Sequence, residues 1–382
     1  MKKLLSVLTI ITLLLSCLSF SAGSVFAAEN DYTYKALDSA TAEITGYKGS
    51  ASNITIPSKI GGLTVVSIGK QAFYQNKTIK NVTIPNTVKS IGDKAFYASY
   101  MSSVTIPDSV ETMGQSAFSY CIYLTDLTLS KNAGTISNNA FSYCTRLEEV
   151  TIPDGVTTID VSAFQSCSHL VKATLPSTLK TVCEYAFAYT NIDSVILPEG
   201  TTTIKAQSFF QCPALTTVSV PSTVSTISDY SFAGCSLLEN VTIADGVKAI
   251  GTGAFDACPI NKLTIPASVT SIADYSIGFT DYLVEYEQNN KLVITCYPGS
   301  AAYNYADSFG FKYVLLESDF KLGDVNMDKK INIKDATAVQ KYLVDLITLT
   351  PQAILLADFD GDLRITVRDS TTIQKFIAGF PI

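Results

Sequence analysis

A short apolar pattern recurs along most of this chain at intervals of 22 or 23 residues. A Val-Thr-Ile-Pro tetrapeptide, or a conservative variant of it, begins at ten places from Ile54 to Leu263. An isoleucine-like residue and then a phenylalanine follow in the same phase. The phenylalanines are Phe73, Phe96, Phe118, Phe141, Phe164, Phe187, Phe209, Phe232 and Phe255, with Ile277 in the tenth place. Three phased apolar markers predict a stack of short structural repeats.

Each unit is too small to bury its own apolar residues and must bury them against its neighbours, as in a solenoid. In Val150-Thr151-Ile152 the alternation of apolar and polar residues predicts a short, half-buried strand. Pro153 has no backbone N–H to donate and ends that strand. Phe164 then turns inward, and a short irregular or helical stretch returns the chain to the next strand. We therefore expect about ten strands in one parallel sheet.

The units L-x-x-V-T-I-P-x-x-V-x-x-I-x-x-x-A-F-x-x-C resemble the BspA-type leucine-rich repeats of bacterial surface proteins. The resemblance extends from about Tyr32 to Leu316, and its closing segment, residues 296–310, is similar to the terminal cap of such arrays. It implies a mainly β and irregular leucine-rich-repeat solenoid of about ten repeats, with caps, over residues 28–316.

The N-terminus indicates where the protein is located, and the charge balance indicates which class of partner it does not bind. Lys2 and Lys3, an apolar run at residues 4–20 and small residues up to Ala27 predict a secretory signal peptide at residues 1–27. No later stretch has the roughly 18 apolar residues of a membrane span. The net charge of −7 and the absence of a basic block argue against a nucleic-acid partner. We expect a secreted, extracellular protein without a membrane span.

Six cysteines fall three residues after a phased phenylalanine. They are Cys121, Cys144, Cys167, Cys212, Cys235 and Cys258. Stacked positions lie about 4.8 Å apart, further than the Cβ separation of about 3.8 Å in a disulfide, so we predict a column of buried thiols. The states of Cys183 and Cys296 stay open. A nucleophile formed by Cys167 and the single histidine, His169, is not expected, and no catalytic residues are predicted.

Two surfaces of the solenoid are candidates for binding a protein or a glycan. One is the column of outward strand residues, although β propensity on a solvated face is the favoured explanation for it. It comprises Thr55, Thr83, Thr105, Thr128, Thr151, Thr174, Ile196, Ser219, Thr242 and Thr264. The other is a group of tyrosines that could stack on sugars, anchor a protein partner or simply pack. These are Tyr97, Tyr100, Tyr120, Tyr123, Tyr143 and Tyr189.

A different duplication, of 34 residues, follows the solenoid: residues 324–335 align with residues 358–369. Ca²⁺ takes about six to eight oxygen ligands, and a 12-residue loop supplies them from positions 1, 3, 5, 7, 9 and 12. The first candidate set is Asp324, Asn326, Asp328, Lys330 through its carbonyl, Asn332 through water, and Asp335. The second is Asp358, Asp360, Asp362, Arg364 through its carbonyl, Thr366 through water, and Asp369. Two calcium ions are therefore expected.

Each loop has Asp at position 12, and no helix is expected before either loop. With Asp-Ala-Thr-x-x-Gln-Lys at residues 335–341, the segment resembles a type I dockerin of cellulosome-forming bacteria. The resemblance covers residues 320–382, after a linker at residues 317–319, and implies a small all-α domain with two F-hand loops. Lys329 and Leu363 occupy position 6, where Gly is usual, so strain there is expected to weaken calcium binding.

The resemblance to dockerins also implies the partner, a cohesin module of a scaffoldin, recognised through loop positions 10 and 11 and the adjoining helix. The corresponding residues are Ile333, Lys334, Gln340 and Lys341 in the first copy and Val367, Arg368, Gln374 and Lys375 in the second. The near-symmetry of the copies permits two binding orientations.

Together these features predict a secreted, non-catalytic component of a cellulosome, held at the cell surface through that assembly, whose solenoid binds a protein or carbohydrate. One alternative is a polysaccharide-degrading hydrolase, since many dockerin-bearing chains are hydrolases. Repeats and caps already occupy residues 32–316 and leave no room for such a domain. The other alternative is a cell-surface adhesin.

Overall fold

The computed structural model describes residues 27–280, 287–316, 321–349, 351–360 and 364–380. The expected signal peptide (up to residue 26), the expected linker and the candidate ligand Asp362 lie outside the described residues.

The N-terminal end of the solenoid is an antiparallel strand pair. A 3₁₀ turn at Glu29–Asp31 leads into β1 (Tyr32–Ala36), which pairs with β2 (Thr41–Tyr47). Strand β2 then pairs in parallel with β5 (Leu63–Ile68), against which β4 (Lys59–Ile60) folds back. This pair therefore covers the first turn of the core.

The Val-Thr-Ile segments form a first column of parallel strands. Alternation buries Val150 and exposes Thr151, and the same pattern aligns the outward threonines of successive turns in register. The strands are β3 (Asn53–Thr55), β6 (Asn81–Thr83), β8 (Ser103–Thr105), β10 (Asp126–Thr128), β12 (Glu149–Thr151), β14 (Lys172–Thr174), β16 (Ser194–Ile196), β18 (Thr217–Val220), β20 (Asn240–Ile243), β22 (Lys262–Thr264), β26 (Val293–Cys296) and β27 (Lys312–Leu315). They form separate hydrogen-bonded groups rather than the continuous sheet we expected.

A second column of two-residue strands stands where we expected irregular or helical chain. These strands contain the phased isoleucine-like residues, which point inward. They are β7 (Ser90–Ile91), β9 (Thr112–Met113), β11 (Thr135–Ile136), β13 (Thr158–Ile159), β15 (Thr181–Val182), β17 (Thr203–Ile204), β19 (Thr226–Ile227), β21 (Ala249–Ile250) and β23 (Ser271–Ile272). Strands β11 to β23 form a continuous seven-stranded ladder. The predicted solenoid is confirmed, with about 12 turns.

A stack of phenylalanine rings runs along the interior. The rings from Phe73 to Phe255 are buried. Successive ring centroids lie 4.7–5.5 Å apart, with planes within 11° of parallel. Each ring thus packs on the rings one turn away, which is why a single unit cannot form this core.

Every turn bends at corner residues in the left-handed backbone region, most of which are not glycine. One corner falls two residues after each phased phenylalanine: Gln75, Ala98, Tyr120, Tyr143, Ser166, Tyr189, Gln211, Gly234 and Ala257. Backbone hydrogen bonds hold these corners in register, as from Tyr143 N to Gln165 O (2.8 Å) and from Ser166 N to Ala188 O (2.9 Å). Side chains at this position therefore project side by side from consecutive turns.

A helix closes the C-terminal end of the solenoid. Helix α1 (Ala301–Phe309) begins at the N-cap Ser300 and ends at Gly310, which has a left-handed φ of 70°. The hydroxyl of Tyr305 donates to Ile277 O (2.8 Å) and accepts from Ile277 N (3.0 Å). Nearby, β24 (Phe279–Thr280) and β25 (Glu287–Gln288) form an antiparallel pair.

The described residues of the C-terminal region form three helices around a small apolar core: α2 (Ile333–Leu343), α3 (Pro351–Ala357) and α4 (Val367–Ile377). Ala336, Val339 and Ile373 are fully buried in that core, and Ile331 and Ile365 pack against it from position 8 of the two loops. The expectation of no helix before either loop is wrong for the second loop, because α3 ends directly before Asp358. Proline is favoured at the first position of a helix, where its missing N–H is not needed.

Candidate metal centre and solenoid surface

In the first loop the aspartate at position 12 holds both ends of the loop together. Asp335 Oδ1 accepts from Asn326 N (2.9 Å) and Asp335 Oδ2 accepts from Asn332 N (2.8 Å), and the side chain is fully buried. Asp328 N in turn donates to Asp324 Oδ1 (3.1 Å) and Asn326 Oδ1 (2.9 Å). These bonds tie the backbone of the loop to the side chains of Asp324, Asn326 and Asp335.

Asp324 provides the strongest local sign of a cation in the first loop. It is 1% exposed, and its Oδ2 is buried with no hydrogen-bond partner among the described residues. Burial raises the pKa of this carboxyl above its usual value, and the nearby Asp335 and Asp328 raise it further. A divalent cation would stabilise the ionised form, which burial and neighbouring acids disfavour.

In the second loop three carboxylates converge. Oxygen atoms of Asp358, Asp360 and Asp369 all lie within 4.8 Å of one another. Asp369 repeats the role of its counterpart, accepting from Phe359 N (2.9 Å) through Oδ1 and from Thr366 N (2.8 Å) through Oδ2. Like charges at this spacing repel, and the all-oxygen donor set suits a hard cation.

Position 9 has a role that the sequence analysis missed. Asn332 Oδ1 accepts from Lys334 N (3.0 Å) and Thr366 Oγ1 accepts from Arg368 N (3.1 Å), so each residue is the N-cap of the following helix. With the position-12 aspartates they form capping boxes. An Asn or Thr three residues before an acid, ahead of an apolar-periodic segment, is the sequence signal for this arrangement.

The backbone at position 6 of the first loop has the conformation that glycine favours. Lys329 has a φ of 66°. Lys330 and Arg364, whose carbonyl oxygens are the expected ligands at position 7, are exposed residues. A residue with a Cβ is strained in the left-handed region, which is the physical basis of the weakening expected there. Leu363, the second position-6 residue, lies outside the described residues.

The residues carried over from dockerins as partner contacts lie at the surface, with Gln374 half-buried. Ile333 and Val367 are 59% and 66% exposed although both are apolar. Arg368 Nε forms a 3.0 Å ion pair with Asp360 Oδ2, and Gln340 Nε2 donates to Ser370 Oγ (3.0 Å). Lys334, Lys341 and Lys375 are exposed.

The hydrogen bond from Gln340 is one of the contacts at which the two copies differ. Ser370 accepts the hydrogen bond from Gln340, but the aligned residue of the first copy is Ala336, which has no side-chain acceptor. The two faces therefore differ at the aligned Gln340 and Gln374.

On the solenoid, the cysteine column is buried and its thiols are free, as predicted. The thiols also donate hydrogen bonds, which the sequence analysis missed. Cys121, Cys144 and Cys167 donate to the carbonyls of Phe96 (3.2 Å), Phe118 (3.3 Å) and Phe141 (3.1 Å). In another turn Ser99 Oγ donates to Phe73 O (2.6 Å). The position three residues after the phased phenylalanine therefore holds a small side chain that donates a hydrogen bond in these turns. Burial raises the pKa of the Cys121 and Cys167 thiols to about 12.

Tyrosines form a ladder on one edge of the solenoid. The ring pairs Tyr74–Tyr97, Tyr97–Tyr120 and Tyr120–Tyr143 have centroids 5.2, 5.3 and 4.4 Å apart. Tyr100 and Tyr123 form a separate pair at 4.9 Å. The outward strand column is largely exposed and has threonine at most positions.

Comparison with known families agrees with both halves of this description. The model of the BspA type leucine rich repeat region matches in six copies over residues 46–171 and 157–283, more than half of the chain. The chain belongs to the BspA-type leucine-rich repeat family. This family member also matches the dockerin type I domain over residues 322–378.

Solved structures of similar proteins come from several bacteria. A leucine rich cell surface protein of Faecalibacterium prausnitzii A2-165 is 26% identical, with 76% of this chain and 94% of that chain covered and a TM-score of 0.47. A leucine-rich repeat protein of Bacteroides ovatus ATCC 8483 is 20% identical, with 75% and 98% covered and a TM-score of 0.49. No curated protein matches the chain.

The matched families also bear on chemistry and partners. The repeat and dockerin modules are both non-catalytic. Dockerin type I domains bind calcium, and a dockerin implies a cohesin partner. Within the part of the chain that the structure describes, no helix has the length and apolar character needed to cross a membrane.

Proposed function

We propose that this protein is a secreted, non-catalytic component of a cellulosome, in which the dockerin attaches to a scaffoldin cohesin and the solenoid binds a protein or carbohydrate. The dockerin extends over residues 320–382 and the solenoid over residues 28–316, joined by the linker at residues 317–319. Residues 1–27 are a signal peptide, and the protein reaches the cell surface through the assembly.

The observation that best supports attachment is the convergence of Asp358, Asp360 and Asp369 in the second loop. In the first loop Asp324 and Asp335 are buried. Two calcium ions bound by the twelve residues named above offset much of the negative charge of these acids. Calcium binding then fixes α2 and α4, because each helix begins at a residue of a loop. The exposed residues at the starts of both helices are thereby presented to the cohesin.

Paired charge reversals test this attachment and its two orientations. Lys334→Glu with Lys341→Glu alters the first copy, and Arg368→Glu with Lys375→Glu alters the second. We expect each double variant to retain capture by an immobilised type I cohesin, because the unaltered copy still binds, and the fourfold variant to lose it. Lys172→Glu, exposed on β14, is the matched control. Unchanged capture of the fourfold variant, with calcium binding intact, contradicts the proposed interface.

The hydrolase alternative receives no support from the described residues. His169 is exposed while Cys167 is fully buried and donates to Phe141 O, so the two do not form a nucleophile pair. Incubation of the purified protein with cellulose, xylan and mannan is expected to release no reducing sugar. Release that persists through further purification contradicts the non-catalytic assignment.

A further inference from the structure

One turn interrupts the tyrosine ladder on the solenoid edge. The corner position two residues after the phased phenylalanine is Tyr120, Tyr143, Ser166 and Tyr189 in four consecutive turns. Backbone hydrogen bonds keep these corners in register. The serine therefore leaves a gap between Tyr143 and Tyr189, in the place where a tyrosine would continue the ladder.

The gap is a depression of about 540 Å³ that opens to solvent. Its lining residues are Tyr143, Thr145, Gln165, Ser166, Ser168 and Tyr189. All six are uncharged: two aromatic rings, three hydroxyl side chains and one carboxamide. Aromatic surface beside neutral donors and acceptors suits a ligand with both apolar C–H faces and hydroxyl groups.

Both rings border the gap, and Tyr189 also packs at 84° to Phe210, with ring centroids 5.6 Å apart. One face of Tyr143 is covered by Tyr120, whose ring lies 4.4 Å away and within 9° of parallel. Its other face is directed toward the turn of Ser166, whose side chain is too small to cover it. Both rings are accessible from solvent, since Tyr143 is 37% exposed and Tyr189 is 40% exposed.

Spacing sets the size of the occupant. Turns rise by about 4.8 Å, so Tyr143 and Tyr189, two turns apart, are separated by about 10 Å along the axis. A ring centred between them lies about 5 Å from each, which matches the 4.4–5.3 Å separations within the ladder itself. One six-membered ring therefore completes the stack.

We propose that this gap is a binding site for a neutral glycan, with one pyranose ring stacked between Tyr143 and Tyr189 and its hydroxyls bound by Gln165, Ser166 and Ser168. The proposal deepens the binding role proposed for the solenoid and rests on it. The lack of charge in the lining favours a neutral sugar over an acidic one. Its hydroxyl-rich floor favours a sugar over an aromatic protein side chain.

Filling the gap provides the sharpest test. Ser166→Tyr places a tyrosine at a corner whose φ of 60° equals that of Tyr143 and Tyr189 within a few degrees, so the variant is expected to fold and to continue the ladder. Tyr143→Ala and Tyr189→Ala remove one ring each and keep the proposal testable if the first variant does not fold. Tyr74→Ala is the matched control, because Tyr74 is also 40% exposed but lies at the far end of the ladder.

Isothermal titration of the full-length mature protein would use cellohexaose, xylohexaose and mannohexaose, with hexagalacturonate as the acidic comparison. We expect the wild type to bind at least one neutral hexasaccharide more tightly than the acidic one. Ser166→Tyr should abolish that binding, each ring deletion should weaken it about tenfold, and Tyr74→Ala should leave it unchanged.

Three results overturn the proposal: no neutral hexasaccharide binds, Ser166→Tyr binds as the wild type does, or the control loses as much affinity as the ring deletions. Capture on immobilised cohesin is measured for the same variants. A variant that loses glycan binding but is still captured by cohesin has lost the glycan site and kept a working dockerin.

Discussion

The thiol of Cys167 lies 3.1 Å from the carbonyl oxygen of Phe141, in the preceding turn of the solenoid. The same contact recurs from Cys212 to Phe187 (3.2 Å) and from Cys258 to Phe232 (3.1 Å). The cysteine column therefore links successive turns through weak hydrogen bonds as well as filling space. The repeat tolerates serine at this place in Ser99, which makes the equivalent bond.

Replacing the thiol tests this link. Cys167→Val keeps the side chain apolar and removes the donor, and we expect it to lower the free energy of unfolding by about 1 kcal/mol. Cys167→Ser, which keeps a donor, should cost less. Urea denaturation followed by circular dichroism measures both. If the valine variant is as stable as the wild type, the thiol acts only as a small apolar group.

The phenylalanine stack should be most sensitive at its middle. The Phe164 ring packs on Phe141 and Phe187 at 5.5 and 5.4 Å. Phe164→Ala is expected to cost about 3–5 kcal/mol and to broaden or split the unfolding transition, because stability in a solenoid is carried between neighbouring turns. Ile196→Ala, at a side chain that is 68% exposed, should change stability by less than about 0.5 kcal/mol. Equal effects of the two substitutions would rule out the stack as the main core.

Stability should fall in alkaline solution. The pKa values of Cys121 and Cys167 are raised from 9.0 to about 12 because burial disfavours the thiolate. Above pH 9 the unfolded chain releases these protons more readily than the folded chain does. The contribution of the two thiols to the free energy of unfolding is therefore complete below pH 9 and is lost as the pH rises toward 12. Denaturation at several pH values should show this slope. The variant with Cys121, Cys144 and Cys167 all changed to Ser should show a shallower one, and an unchanged slope would exclude the thiols as its source.

Glycine at position 6 should strengthen the first calcium site. Lys329 adopts φ of 66°, and Lys329→Gly removes a strain of roughly 1 kcal/mol. We expect calcium affinity at that loop to rise about fivefold, with Lys329→Ala as a control that retains a Cβ and gains little. Calorimetric titration with calcium distinguishes the two. An affinity that is the same for the glycine and alanine variants would show that the conformation at Lys329 does not limit binding.

How much the sequence could reveal depended on periodicity. The phase of Phe164 and the alternation around Thr151 predicted their burial and exposure, because each repeats in every turn. The two-residue strand Thr158–Ile159 has no period-2 pattern long enough to recognise, and helix Pro351–Ala357 is only seven residues long. The gap at Ser166 became visible only when backbone hydrogen bonds fixed which corners lie side by side.

Calcium-dependent attachment is the central claim, and titration of a type I cohesin module into the full-length protein tests it most directly. With calcium present we predict tight binding of one cohesin per chain. With EDTA we predict none, because the carboxylates of Asp358, Asp360 and Asp369 then repel one another and the helices that carry the contact residues lose their anchor. Binding of equal affinity in calcium and in EDTA would contradict the account.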